Sequence, residues 1–156
     1  MLYTLATFFL PPLFVFGVYH LLTWFDFFGI NRKVFWKRVA ITSAISHIVL
    51  ATGFFAFTYF EAKEAASYAV YLFNRSNFWR LMMIFDTAPM LVIIGLFSLL
   101  DRAGMNPPGL LAVTIAITYI VGTLQWFLVG GAIGALLERF FEGLKTPEPE
   151  DEDWRF

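Results

Sequence analysis

Four apolar runs, each about as long as a bilayer is thick, govern what this chain can become. A transmembrane helix needs about 20 consecutive apolar residues. The runs cover 2–25, 39–60, 78–100 and 110–134, and the last stays apolar as far as Leu137. Hydrophobic residues make up 59% of the 156 positions and charged residues only 15%. A soluble domain of that composition would expose large adhesive patches. The predicted fold is therefore all-α: a membrane protein of four transmembrane helices in an antiparallel bundle. Residues 1–145 form this domain. Residues 146–156 are an acidic tail with two prolines, expected to be disordered and free to meet a partner.

Several function classes drop out on composition. The net charge is −1, so no basic field points to nucleic acid. There is no cysteine, which removes disulfides, thiolate metal sites and thiol redox chemistry. No phosphate loop, dinucleotide fingerprint, metalloprotease helix or Ser-His-Asp order occurs, so the reading leans away from an enzyme. The first run lacks a basic leader and carries Pro11-Pro12, and it is expected to be a retained, kinked membrane helix.

Orientation rests on the segment 26–38. It concentrates Arg32, Lys33, Lys37 and Arg38 around Trp36. Short basic loops stay in the cytoplasm, so both termini are expected on the opposite side. The same four cations form a patch for anionic lipid headgroups. Between the second and third runs, Ala65 to Phe73 is apolar but too short to span. It is expected to lie in the membrane interface with Tyr68 and Tyr71 at headgroup level. Asn74-Arg75-Ser76-Asn77 then forms a turn before the third helix, and Asn74-Arg75-Ser76 matches a glycosylation sequon.

Small and polar residues recur at helical spacing. Ser43, His47 and Ala51 share one face of the second helix; Thr114, Thr118 and Gly122 share one face of the fourth. Gly130 and Gly134 form a Gly-x-x-x-Gly pair. It permits close backbone approach, within the bundle or to another chain.

One residue stands against this background. Asp86 lies about 12 Å below the start of the third helix on helical rise. A carboxylate at such depth costs at least ~2.5 kcal/mol and needs a partner, a proton or a water-filled cavity. Gln125 falls at matching depth on the fourth helix, and His47 about 6 Å deeper on the second. Pro89 has no N–H, so the carbonyl of Phe85 is left without its helical partner beside the carboxylate. Asp86, Gln125 and His47 thus make either an ion- or proton-binding site or a buried node that sets helix register. His20 and His47 could ligate one haem, though their depths differ. No other cofactor is expected. Met82, Met83 and Met90 flank Asp86 and read as core filling.

The favoured reading is an accessory or structural subunit of a larger membrane complex, in contact with lipid and with other subunits or copies of itself. The alternative is a small oligomeric ion- or proton-coupled carrier or channel that uses Asp86. A haem-binding membrane anchor is a minor third.

Overall fold

Helix is the only regular structure among the described residues, which in this computed structural model are 2–62, 68–74, 80, 84–104 and 109–144. The order is α1 (Leu2–Trp24), a 3-10 stretch (Phe27–Arg32), α2 (Phe35–Glu61), α3 (Tyr68–Asn74), α4 (Thr87–Arg102), α5 (Leu110–Ile117), a π-helical turn (Thr118–Gly122) and α6 (Thr123–Leu144). Helices α5 and α6 join through the π turn into one rod. Among the described residues, two helices are long and apolar enough to cross a membrane: Phe35–Glu61, which is α2, and Leu110–Phe141, which lies in that rod. Helix α1 runs without interruption through Pro11 and Pro12. The expected turn at 75–77, the start of the third run, Met82, Met83 and the tail 146–156 lie outside the described residues.

The third run departs from expectation. It is not one helix through its middle. Ile84 and Phe85 are helical, Asp86 leaves the helical region at φ −132° and ψ 52°, and α4 starts afresh at Thr87. Pro89 explains the position of the break. It is the third residue of α4, within the first turn, where a missing N–H deprives no carbonyl of the new helix. One residue of irregular backbone therefore absorbs the proline.

The buried positions include many polar side chains, and the outside is largely apolar. Thr42, Ser43, Ser46, His47, Thr58, Asp86, Thr114 and Thr118 are buried. Ile120, Leu136 and Leu91 are 71%, 67% and 65% exposed. Helices α2 and α6 make the most extensive contact in the fold. Rising numbers along the rod meet falling numbers on α2: Gly122 of the π turn meets His47, and Gly130 and Gly134 of α6 meet Ser43 and Trp36, so the rod and α2 run in opposite directions. The glycines are what allow the approach. A Cβ on Gly134 would lie 2.7 Å from the Trp36 Cα, and one on Gly130 2.6 Å from the Ser43 Cβ.

The α1–α2 connection is tied down by its own polar groups. Asp26 and Phe28 take left-handed backbone at φ 46° and 58°. The Asn31 N–H donates to the Asp26 carboxylate at 2.9 Å, and the Asn31 side-chain amide donates to the Thr23 carbonyl at 2.8 Å. Of the four predicted headgroup ligands, Arg38 is spent on the loop itself, donating to the Lys33 and Asn31 carbonyls. Lys37 sits 5.4 Å from the centre of the Trp36 ring. Arg32 and Lys37 are exposed and Lys33 is half-buried.

Helix α3 folds back onto the end of α2 and does more than rest on a surface. Leu72 is wholly buried, in a cluster with Ala51, Phe55 and Ile93. Tyr68 points inward, sharing a hydrogen bond with the Thr58 hydroxyl at 2.9 Å, and burial pushes its own hydroxyl above the usual tyrosine pKa. Tyr71 is the polar counterpart. It donates to Glu61 at 2.6 Å, and that carboxylate raises its pKa.

Candidate functional site

A helix interrupted inside an apolar run leaves backbone groups that only side chains or water can satisfy. At the Asp86 break, side chains from the composite rod do it. The Gln125 side-chain oxygen accepts the Ala88 N–H at 2.7 Å. Its amide nitrogen donates to the Phe85 carbonyl at 3.1 Å. The Trp126 indole N–H is shared between that carbonyl, at 3.0 Å, and the Asp86 Oδ1, at 2.9 Å. The carbonyl that Pro89 deprives of a helical partner thus receives two donors.

The carboxylate has a second partner. The His47 Nε2 lies 3.1 Å from the Asp86 Oδ2, with the His47 side chain 2% exposed and that of Asp86 12%. The other ring nitrogen, Nδ1, lies 3.0 Å from the Thr123 hydroxyl. When the carboxylate is ionised it only accepts, and Nε2 then carries the proton between His47 and Asp86. Nδ1 then accepts from Thr123 when the ring is neutral and donates to Thr123 when it is an imidazolium. The result is a hydrogen-bonded line, Asp86 to His47 to Thr123, across α4, α2 and α6. Such chains strengthen one another where the surroundings are weakly polar.

Local backbone explains why this line can form. The π turn Thr118–Gly122 ends where α6 meets His47. A π turn bonds i to i+5 and is wider than an α turn, so it alters the phase of the rod just before Thr123, Gln125 and Trp126. Gly122 supplies the clearance. A Cβ there would stand 2.6 Å from the His47 Nε2 and 3.3 Å from the Asp86 Oδ1. The ring of Trp126 closes the other side, its centre 5.7 Å from that of His47.

The predicted residues therefore meet, but with different roles. Gln125, expected as the partner of the Asp86 carboxylate, binds the backbone on either side of it. His47, expected deeper, touches the carboxylate directly. Trp126 and Thr123 were not anticipated. The available signal was that a buried indole N–H seeks an acceptor, and Trp126 lies four residues after Gly122. Ser43, Gly130 and Gly134 lie in the α2–α6 contact and apart from the line.

The haem arrangement is not assembled. His20 is exposed, with its ring against Phe16 and Tyr19 of its own helix. Both ring nitrogens of His47 are engaged. Among the described residues, no three His, Asp or Glu side chains converge as a metal site would require. The described residues do not fit haem or a divalent cation.

Gln125→Leu removes both bonds of the amide. The half-buried Ala88 N–H is left without its acceptor, and an expected loss of about 1 kcal/mol follows. Thermal unfolding of the purified chain in mild detergent measures it.

Comparison with protein-family models, curated proteins and solved structures finds no match to this chain.

Proposed function

We propose that the chain is an integral, multi-pass membrane protein whose four helical segments span the bilayer. In this reading it conducts or couples a proton through the buried Asp86–His47 pair. The observation that carries the proposal is the pairing of one carboxylate and one imidazole at 3.1 Å, at the interruption of an apolar helix. Ionisable groups inside a bilayer are costly, and proton relays are a recurrent use of them. Discontinuous helices are likewise a recurrent way of building such sites. Histidine is suited to the task because its ordinary titration falls between about pH 5 and 8. The many large apolar residues on the outside, with polar side chains buried, fit a lipid environment. The basic segment 26–38 then faces the cytoplasm, and both termini lie on the other side.

The proton path requires more than one copy, because four helices of one chain seldom enclose a channel. The exposed apolar faces of α4 and α6 offer the surface for self-association.

A second reading, the accessory subunit, is favoured by a different observation. Every polar atom of the Asp86 carboxylate and the His47 ring has a partner within the chain. A fully satisfied node can serve register alone. The subunit reading loses one argument, since Gly130 and Gly134 are covered by α2 of the same chain.

Proteoliposomes carrying a trapped pH dye separate the two. With a potassium diffusion potential imposed, the wild type acidifies or alkalinises the lumen faster than empty vesicles. Asp86→Asn keeps a neutral acceptor for Trp126 and a group for His47, yet its flux falls to the empty-vesicle rate. His47→Gln falls similarly. Flux from the wild type that equals the empty-vesicle rate, or that survives in Asp86→Asn, rejects proton handling and leaves the subunit reading.

A further inference from the structure

The hydroxyls of Thr23, Thr52, Thr58, Thr114 and Thr118 each donate to the carbonyl four residues earlier. Such a bond commits the hydroxyl proton to the helix's own backbone. Thr123 makes no such bond. Its hydroxyl has one partner, the Nδ1 of His47 at 3.0 Å. The hydroxyl can donate to that nitrogen or accept from it, and no backbone carbonyl competes for its proton.

Burial adds an independent observation. The His47 side chain is 2% exposed, so the ring has almost no direct access to water. The line it belongs to is more open at both ends: the Asp86 side chain is 12% exposed and Thr123 is half-buried. A cavity of about 620 Å³ among α1, α2 and α6 has Gln125 and Trp126 in its mostly aliphatic and aromatic wall, while Asp86, His47 and Thr123 lie outside it. Around the ring, Asp86 of the Asp86 break is the charged neighbour among the described residues. Thr123 and Trp126 of α6 are neutral, and Gly122 of the π turn has no side chain.

We propose that Thr123 is the terminal member of a proton relay: the Nδ1 of His47 gains and loses its proton through the Thr123 hydroxyl, with water beyond it. This rests on the proton handling proposed above. In the forward step a hydronium gives a proton to the Thr123 oxygen while the hydroxyl's own proton passes to Nδ1. One O–H bond forms and one breaks, so Thr123 is unchanged, a water is left and the ring becomes an imidazolium. The imidazolium then gives its Nε2 proton to the Asp86 carboxylate. That leaves a neutral ring protonated on Nδ1 and a neutral carboxyl, which releases its proton to water at its exposed edge. The reverse sequence runs from Asp86 to Thr123.

The test uses the full chain carrying His20→Gln, which leaves His47 as the one imidazole. Thr123→Val removes the hydroxyl at nearly constant shape. Proteoliposome flux under a potassium diffusion potential is expected to fall about a hundred-fold, the low end of what a positioned proton-transfer group contributes. Thr123→Ser is expected to restore it. A second readout does not depend on transport. In nanodiscs, NMR of the isotope-labelled His47 ring follows exchange of its protons with water, which should slow in Thr123→Val and recover in Thr123→Ser. A threonine that only packs would not show that hydroxyl-specific recovery. Circular dichroism and size exclusion check folding, and Thr123→Ala takes the place of Thr123→Val if the latter does not fold. Flux or ring-proton exchange at the wild-type rate in the hydroxyl-free variant overturns the relay. If Asp86→Asn still loses flux in that case, proton handling stands without Thr123. Wild-type flux at the empty-vesicle rate overturns both.

Discussion

Asp86→Ala is expected to cost about 1–3 kcal/mol of stability, the scale for leaving a buried hydrogen-bond donor without its acceptor. The loss has two identifiable sources. His47 Nε2 and the Trp126 indole N–H both lose the carboxylate that accepts from them. Trp126 keeps the Phe85 carbonyl, so His47 bears most of the penalty. Asp86→Asn should cost less, because an amide oxygen still accepts from Trp126. Its amide nitrogen can donate to His47 Nε2 once the ring shifts its proton to Nδ1 and donates to Thr123. The double variant Asp86→Ala with His47→Ala should recover part of the loss. Groups within one network show coupling of about 0.5–3 kcal/mol. Thermal or denaturant unfolding in mild detergent yields all three values. Strict additivity of the two single changes would mean that the 3.1 Å contact contributes nothing.

Gly134→Leu should separate α2 from α6. Even a methyl group at this position would sit 2.7 Å from the Trp36 Cα and 3.0 Å from the Val39 Cβ. The first of these is backbone, which cannot turn aside as a side chain could, so the helices themselves must move. Overpacking commonly costs about 1–3 kcal/mol, and a leucine against backbone belongs at or above the upper end. The contrast with Gly17 is the control. Nothing lies within 4 Å of a Cβ built there, so Gly17→Ala should be neutral or slightly stabilising through helix propensity. If Gly134→Leu melted with the wild type while losing a partner protein, the glycine pair would belong to an intermolecular contact. The geometry here assigns it to the fold.

The two sets of expectations differ in kind. Helical class was legible from the chain alone, because apolar runs of bilayer length have few other ways to satisfy their backbone. So was the singular standing of Asp86, since one carboxylate in such a run must be accommodated. The release of the Phe85 carbonyl was legible too, because it follows from the covalent structure of Pro89. These are properties of single residues or of short-range spacing, and no tertiary contact is needed to state them.

What the chain alone left open was where the consequences of those properties are met. Counting rise along an unbroken helix put Gln125 level with Asp86 and His47 below it. In the fold Gln125 holds the backbone on either side of the break and His47 holds the carboxylate. The π turn before Gly122 shifts the phase of the facing rod, which brings Thr123 and Trp126 to the site. Pro89 points to an opening beside Asp86, but no local pattern announces the π turn, and both are stable only when another helix supplies donors and clearance. Gly130, Gly134 and Ser43 were visible as a close-packing face, but periodicity cannot say which helix approaches. Docking of α2 on α6 decides that, through van der Waals contact between residues far apart in sequence. The cavity beside Trp126 has the same origin: it is the space left over when three helices meet, and only their packing gives it a shape.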